Sequence, residues 1–475
     1  MTQPGHATSA EFMRSACSPS GEFLTTDEAI AWLGAIQARQ QMVVRQIDFA
    51  ALDQWSFRPD DGDLVHSSGK FFRIRGVHVS TNLGSMREWD QPIIDQPEIG
   101  ILGILVREFH GVLHLLMQAK LEPGNPLGVQ LVPTVQATRS NYTQVHHGSR
   151  PPYVDRFLEA PASSVLVDEL QYEQGSAFLK KRNRNMVVRV TEDIETGPEF
   201  TWLTLGQVKA LLNQPSLVSM DTRTVVACMP LGDPSQGRAA PGQQSAEVSK
   251  LEFADRVIRS IRGGRGRHSD ESISAWINEL RKQFHLDVEH VGLSRISGWR
   301  KTAGSIEGES GRFFKIIAVD VESSSREVPH WSQPMIAPVE RGLIAFVVSE
   351  IEGTLHVLVQ GRAEPGSADT ITVGPTVQYA LSYDDPERPD RDSPFVRIAT
   401  DSAAGRLVYS GVQSEEGGRF FRVENEYRIV EVDTGASLDL PSNFRWITFG
   451  QLQNLVHQGL LNVEGRSLLA CINFC

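Results

Sequence analysis

The chain has 475 residues, of which 40% are hydrophobic and 22% charged, the proportions of an ordinary globular protein. Its 46 basic residues are outnumbered by 58 acidic ones, and the net charge of -12 excludes a broad cationic face for nucleic acid or anionic lipid. Any phosphate-bearing ligand has to be met by local cations.

The first residues carry no basic-then-apolar leader pattern, and apolar runs such as Ile99 to Val106 fall short of the roughly 18 residues a spanning helix needs. Among the four cysteines, Cys228 and Cys471 sit at equivalent places and are expected to end equivalent strands as small core residues. A reducing cytoplasm without a disulfide framework fits that usage.

Residues 1–22 are polar and read as a mobile tail. A helix follows, because Ala29, Trp32, Leu33 and Ile36 fall at i, i+3, i+4 and i+7. Ile273, Trp276, Ile277 and Leu280 repeat it 244 positions later (32 to 276), and Trp55 and Trp299 keep that offset. From Ser68 to Val188 the offset becomes 242 (68 to 310, 188 to 430), with no insertion. This period marks a tandem duplication rather than a solenoid, whose repeats are roughly 20 to 50 residues long.

Strands are expected at Phe71 to Val79, at Ile99 to Arg107, and after the turn at Gly111, with counterparts in the second copy. On the strand after Gly111, a period of two puts His114 and Gln118 on one face, and they recur as His356 and Gln360. A further hairpin is expected over Ser163 to Glu169 and Ala177 to Val190. Thr204 with Gln207, and Thr448 with Gln451, have capping-box spacing and announce a closing helix in each copy. Each unit reads as α+β, 23–230 and 269–475, joined by a linker over 231–268. That linker has a short amphipathic pattern at Phe253, Val257, Ile258 and Ile261 and a basic run from Arg262 to Arg267.

No cysteine–histidine spacing for zinc, no Asp-x-Asp loop, no Gly-x-Gly-x-x-Gly turn and no Gly-x-Ser-x-Gly elbow occurs. Any chemistry is therefore expected to be acid–base work by side chains, without metal or other cofactor. The polar loop after Gln136 gathers Arg139, Ser140, Asn141, Tyr142, His146 and His147. Its counterpart keeps Gln378 and Ser382 but has Tyr383, Asp384 and Asp385 in place of the arginine and histidines, so the copies are not equal. Several residues recur in both copies: His114 and His356, Trp89 and Trp331, Glu122 and Glu364. Each is open between a structural role in sheet, core or turn and contact with a ligand.

Trp89-Asp90-Gln91-Pro92, Gly111 to Gln118, Glu122-Pro123-Gly124 and above all Pro133 to Tyr142 resemble the NDP-hexose 2,3-dehydratases, over residues 25 to 475. The resemblance implies two Nudix-like modules without the Nudix metal box, a homodimer, and a dTDP-sugar held by each module. It implies dTDP-4-keto-6-deoxy-D-glucose as substrate and a 3,4-diketo-2,6-dideoxy sugar as product, which a 3-ketoreductase would consume. On this reading Trp89, Gln91, His114, Gln118, Thr134, Gln136, Arg139, Ser140 and Asn141 hold nucleotide sugar, as do Trp331, Gln333, His356, Gln360, Thr376, Gln378 and Tyr383. Tyr142, His146 and His147 supply the acid–base groups, with Glu173, matched by Glu415, as the next base. One active site and one structural or regulatory site are expected per chain. The alternatives are a duplicated nucleotide-sugar-binding protein without catalysis, or a Nudix-type diphosphate hydrolase.

Overall fold

The computed structural model describes residues 6–84, 86–138, 150–231, 246–311, 313–326, 328–379, 393–433 and 438–474. Local sequence sets its helices. Thr25 caps helix Thr26–Arg39 in a capping box with Glu28, and Ala29, Leu33 and Ile36 form the buried stripe. Ser269 caps helix Asp270–Gln283 in the same place, over Ile273, Trp276, Ile277 and Leu280. Trp32 and Trp276 each spend their indole N–H on a loop carbonyl, that of Pro198 (3.0 Å) and Ser442 (2.9 Å). Thr204 with Gln207 and Thr448 with Gln451 both form the capping boxes read from their spacing.

Each copy builds one seven-stranded mixed sheet. In the first, strands Val165–Tyr172, Arg182–Arg189, Gly100–Phe109, Val112–Lys120 and Phe200–Thr204 lie side by side, and Arg182–Arg189 runs parallel to Gly100–Phe109. The second repeats the order with Arg406–Ser414, Glu424–Glu431, Gly342–Ile351, Thr354–Arg362 and Phe444–Thr448. The strand expected over Ala177 to Val190 starts at Arg182. Residues 177 and 179 pair with Ile94 instead, and the Lys180 N–H donates to the Gly366 carbonyl of the other copy (2.6 Å).

The two smaller sheets are built across the copies. Strand Met42–Ile47 of the first copy runs antiparallel to Phe314–Ser323 of the second, and Leu286–His290 of the second runs antiparallel to Arg73–Thr81 of the first. Each guest strand covers an edge whose backbone groups would otherwise be left unpaired. The Glu-Pro-Gly turns lock the exchange: Gly124 N–H donates to Gly417 O (2.7 Å) and Gly366 N–H to Gly175 O (2.5 Å). A β-carbon at Gly124 or Gly366 would lie 1.8 Å or 1.6 Å from a carbonyl oxygen of the other copy, so only glycine fits.

The described part of the expected tail at 1–22 is a packed helix, and within the expected linker at 231–268 the amphipathic helix around Phe253 to Ile261 is present and packed. Helix His6–Ala16 buries Phe12, Met13 and Ala16, and Ser15 Oγ donates to Leu113 O (2.5 Å) while accepting from Leu205 N (2.9 Å). Within the expected linker, helix Ala246–Ile261 buries Phe253 and Val257, and Ser260 makes the matching bonds to Leu355 O (2.6 Å) and Phe449 N (2.9 Å). The duplication thus begins with these helices. Their ion pairs match with reversed sign, Glu11 to Arg189 and Arg256 to Glu431, so complementarity is kept while residue identity is lost.

Cys228 and Cys471 are buried thiols, but they cap helices Met220–Ala227 and Val463–Ala470 rather than ending strands. Cys17 is disulfide-bonded, which corrects the expectation of reduced cysteines at that residue. No helix among the described residues is long and apolar enough to cross a membrane.

Gly366→Ala is expected to lower stability by about 1–3 kcal/mol through overpacking at the crossing. Gly34→Ala, in an exposed helix position with nothing within 4 Å of the new carbon, should raise it by about 1 kcal/mol. Denaturant midpoints of the two variants against the parent check both signs.

Candidate functional site

Several repeated polar residues serve the fold. Thr134 and Thr376, both buried, accept from Leu105 N and Val347 N (2.9 Å each) and donate to the carbonyls of Leu116 and Leu358 (2.5 Å each). His114 bonds the Val112 carbonyl through Nδ1 (3.0 Å) and accepts from Glu22 N at Nε2 (3.0 Å). His356 does the same with Thr354 O (2.8 Å) and Arg267 N (3.1 Å). Burial lowers the pKa of both rings, consistent with a neutral Nδ1–H tautomer. With both nitrogens engaged, these histidines fasten the chain that follows each first helix. Gln118 is half-buried on its strand, and Gln360 Oε1 accepts from Arg362 (3.1 Å).

The Trp-x-Gln motif acts as one unit. Trp89 Nε1 donates to Gln91 Oε1 (2.8 Å), and Gln91 Nε2 donates to Ser176 O (2.9 Å). Trp331 and Gln333 repeat this (3.0 Å), the amide reaching Gly418 O (2.7 Å). A cleft of about 800 Å³ opens beside the first unit. Trp89, Gln91 and Ser176 of the first copy line it together with Trp299, Phe313, Arg362, Glu364, Gln378 and Tyr379 of the second. Trp299 donates across the copies to Asp90 O (2.6 Å), as Trp55 does to Ser332 O (3.0 Å). Neither copy closes this cleft alone, because the strand exchange and crossed Gly turns bring each Trp-x-Gln strand against the other copy.

On the opposite side, Lys120 Nζ donates to Gln136 Oε1 (3.0 Å), and Gln136 Nε2 donates to Asp221. Glu122 sits between Lys120 (2.8 Å) and Arg326 of the second copy (2.6 Å). Burial works to raise this carboxyl, but Arg326 and Lys120 overcome it and hold the pKa down at about 2. Three more acids crowd the same place. Asp221 is pushed up to about 7 by burial and by Glu173. Glu416 is pushed up to about 7 by burial and by Asp221, against the pull of Arg419. Glu173 is raised by burial, opposed by Arg466 and Lys181; its Oε1 accepts from Asn183 (2.6 Å). Lys181, buried among them and bonded to Glu98 O, is lowered by burial to about 8. Asp221, Glu416 and Lys181, brought near neutrality, are the raw material of proton transfer.

The equivalent place on the cleft side also buries three acids, Glu364, Glu415 and Glu464, and Glu464 is raised by burial and by the other two. Gln378 Nε2 donates to Glu364 Oε1 (2.8 Å), and Asn462 Nδ2 donates to Gln378 Oε1 (2.7 Å). Under the register of 242, Arg326 corresponds to Gly84, Lys181 to Val423, Glu416 to Gln174 and Arg419 to Ala177. All four unmatched charges converge on the Gln136 side, and motif reading missed them along with Asp221. The sign was present in the sequence as charges breaking the repeat, but only the folded chain shows that they meet. Other repeated cations are spent locally, Arg73 on Asp95 (2.7 Å) and Lys315 on Glu307 (3.0 Å). One grouping of metal-type ligands occurs among the described residues, Asp61, Asp63 and His290. Asp63 is already bonded to His290 (2.8 Å) and to the N–H groups of Gly76 and Leu293, so it ties the copies together. Arg139, Ser140, Asn141, Tyr142, His146, His147 and Tyr383 lie outside the described residues.

A doubled α+β chain with a cleft closed by both copies and a buried cluster of acids and bases is the class of protein this fold defines. A sequence profile described as NDP-hexose 2,3-dehydratase matches residues 26–229 and again 270–472. The chain is 44% identical over 470 residues to the dTDP-4-dehydro-6-deoxy-alpha-D-glucopyranose 2,3-dehydratase of Saccharopolyspora spinosa, covering 99% of this chain and 96% of that one. Proteins of the same description from Amycolatopsis orientalis (40% identical, 97% and 92% covered) and Streptomyces violaceoruber (42%, 93% and 96%) are also similar. The chain belongs to the NDP-hexose 2,3-dehydratase family.

A carboxyl whose folded pKa lies below its unfolded value contributes stability above the unfolded value and loses it as pH falls through the folded one. Glu122→Gln is therefore expected to cost about 1.5–3 kcal/mol at pH 7, the worth of hydrogen bonds to charged groups. That gap to the parent should shrink as pH drops from about 4.5 toward about 2, as denaturation curves across the range would show.

Proposed function

We infer that this chain is a sugar 2,3-dehydratase acting on dTDP-4-dehydro-6-deoxy-D-glucose, in deoxysugar biosynthesis. The observation that carries the placement of its chemistry is the meeting of Arg326, Lys181, Glu416 and Arg419, none with a charged counterpart, around Glu122, Glu173, Asp221 and Gln136. The repeated residues furnish a binding frame twice, and the unrepeated charges furnish proton transfer once. The cleft between Trp89 and Gln378 then holds a nucleotide sugar without turning it over, which is the binding-only reading applied to one of the two sites.

The C4 ketone acidifies the C3 hydrogen, and the C2 hydroxyl lies β to that ketone. Removal of the C3 proton places charge on O4. Expulsion of the C2 hydroxyl, protonated as it leaves, gives water and a 2,3-enol, and reprotonation at C2 yields the 3,4-diketo-2,6-dideoxy sugar. Each step moves a proton or a lone pair, so no metal or nicotinamide is assigned. A positioned base contributes about 10²–10⁴ in rate, and a donor aimed at the enolate oxygen about 10²–10³. In this reading Arg139 and Tyr142 meet the diphosphate and O4, His146 and His147 protonate the leaving hydroxyl, and Ser140 and Asn141 contact the sugar. Glu173, only 7% exposed, serves as a tuning group.

The mixed sheets, with one parallel pair beside an antiparallel hairpin, support a Nudix-like module for each copy. A homodimer and a following 3-ketoreductase complete the proposal. A cytoplasmic setting follows from the substrate, since nucleotide-activated sugars are made where nucleotides are.

Incubation with the keto-sugar should give loss of water by mass spectrometry, unaltered by exhaustive chelation. Unchanged ligand, or released nucleoside monophosphate, would overturn the reading. Gln136→Ala should lower kcat/KM about tenfold or more, the worth of a bond to a charged partner. A larger loss from Gln378→Ala than from Gln136→Ala would move the chemistry to the other site.

A further inference from the structure

The first step of the reaction needs a carboxylate or imidazole that faces the site, keeps a lone pair unspent and is not so acidic that it cannot take a proton. Four acids act on one another here: Asp221 is bonded to Gln136, and Glu122, Glu173 and Glu416 lie within electrostatic reach of it. Glu122 fails the last requirement, since both oxygens are claimed by cations, Lys120 and Arg326. Asp221 is 6% exposed and bonded to Gln136, and Glu173 is 7% exposed with one oxygen bonded to Asn183. Glu416 is half-buried, and among the described residues the one hydrogen bond to its carboxylate is from the Gly418 N–H to Oε1 (2.8 Å).

The turn that carries Glu416 is fixed to the binding frame. Gly418 O accepts from Gln333 (2.7 Å) and from Arg419 Nη1 (2.8 Å), and Gly417 O accepts from Gly124 N (2.7 Å), next to Glu122. The turn therefore sits between the Trp331 unit and the Glu-Pro-Gly turn of the first copy. The other copy builds the same turn with the same amide contact, Gln91 to Ser176 O, but has Gln174 in place of the glutamate. An amide cannot take a proton, and Gln174 is spent on Glu415 (2.5 Å). Two turns with matching backbone contacts thus differ at the position that could take a proton.

We propose that Glu416 is the catalytic base that removes the C3 proton, supplied by the second copy to the site framed by Gln136 of the first. The proton passes from C3 to a Glu416 oxygen, the C3–H electron pair becomes the C3–C4 double bond, and the carbonyl pair moves to O4. Arg419, three residues on, places positive charge on the same turn. Burial and the neighbouring Asp221 lift the Glu416 carboxyl to about 7, close to where a base is both ionised and effective.

This proposal rests on the dehydratase reading, and the test separates the two. Full-length protein with Glu416→Gln, which keeps the shape, and Glu416→Asp, which withdraws the carboxylate, is assayed for water loss, for exchange of the C3 hydrogen with deuterium oxide, and for dTDP binding by calorimetry. Glu416→Gln should lose exchange and turnover together by about 10²–10⁴, with dTDP affinity within about twofold of the parent, and Glu416→Asp should keep measurable exchange. Exchange at the parental rate in Glu416→Gln overturns the base assignment and leaves the dehydratase reading standing. A parent protein that neither exchanges nor dehydrates the sugar overturns both. If Glu416→Gln does not fold, parental exchange in Glu416→Asp overturns the assignment and a fall in exchange with dTDP binding retained upholds it.

Discussion

Everything in this molecule depends on the reciprocal exchange of one strand between its two copies. Met42–Ile47 closes the small sheet of the second copy, and Leu286–His290 closes that of the first. The exchange presses the backbones so close that Gly124 meets Gly417 and Gly366 meets Gly175, with no room for a side chain. Neither half has a complete set of paired edges by itself. The copies therefore fold as one body, and each Trp-x-Gln strand faces the polar turn of the other copy.

That geometry gives duplication a use beyond repetition. A frame used twice is free to differ in what is hung on it, and the difference is electrostatic. The side with Gln378 holds Glu364 through amide donors and one arginine, Arg362 at 3.5 Å. The side with Gln136 adds two guanidinium groups, an ammonium and a carboxylate that the other lacks. Burying so many ionisable groups is costly unless they are paired. The cost is offset where Lys120 and Arg326 clamp Glu122, and it remains visible where Asp221, Glu173 and Glu416 are driven toward neutrality. Imperfect compensation of this sort is tolerated where function needs it.

The two fully buried arginines at the centre tie these sites together. Arg466 donates to Tyr172 O (2.6 Å), the residue before Glu173, and Arg223 donates to Ser414 O (2.6 Å), the residue before Glu415. Each copy's helix thus fixes the acid-bearing strand of the other. The pairing survives in both directions, whereas the surrounding charges do not, so the scaffold is symmetric and the chemistry is not.

The sequence by itself determined what is local. The apolar stripes around Trp32 and Trp276, the capping boxes at Thr204 and Thr448, the hairpins turning at Gly111 and Gly353, and the motif strings that place the chain in its family all depend on neighbours within a few residues or on identity between copies. The first helices escaped because Glu11–Arg189 and Arg256–Glu431 preserve attraction while exchanging sign. The partnership of Trp89 with Gln378 and the gathering of Glu416 with Asp221 and Lys181 escaped for a deeper reason. In a duplicated chain each edge strand sees two similar edges, so pairing within a copy and pairing across copies read alike in the sequence. Only the length of the connections and the closeness of the glycine crossings select between them, and those are properties of the whole folded chain.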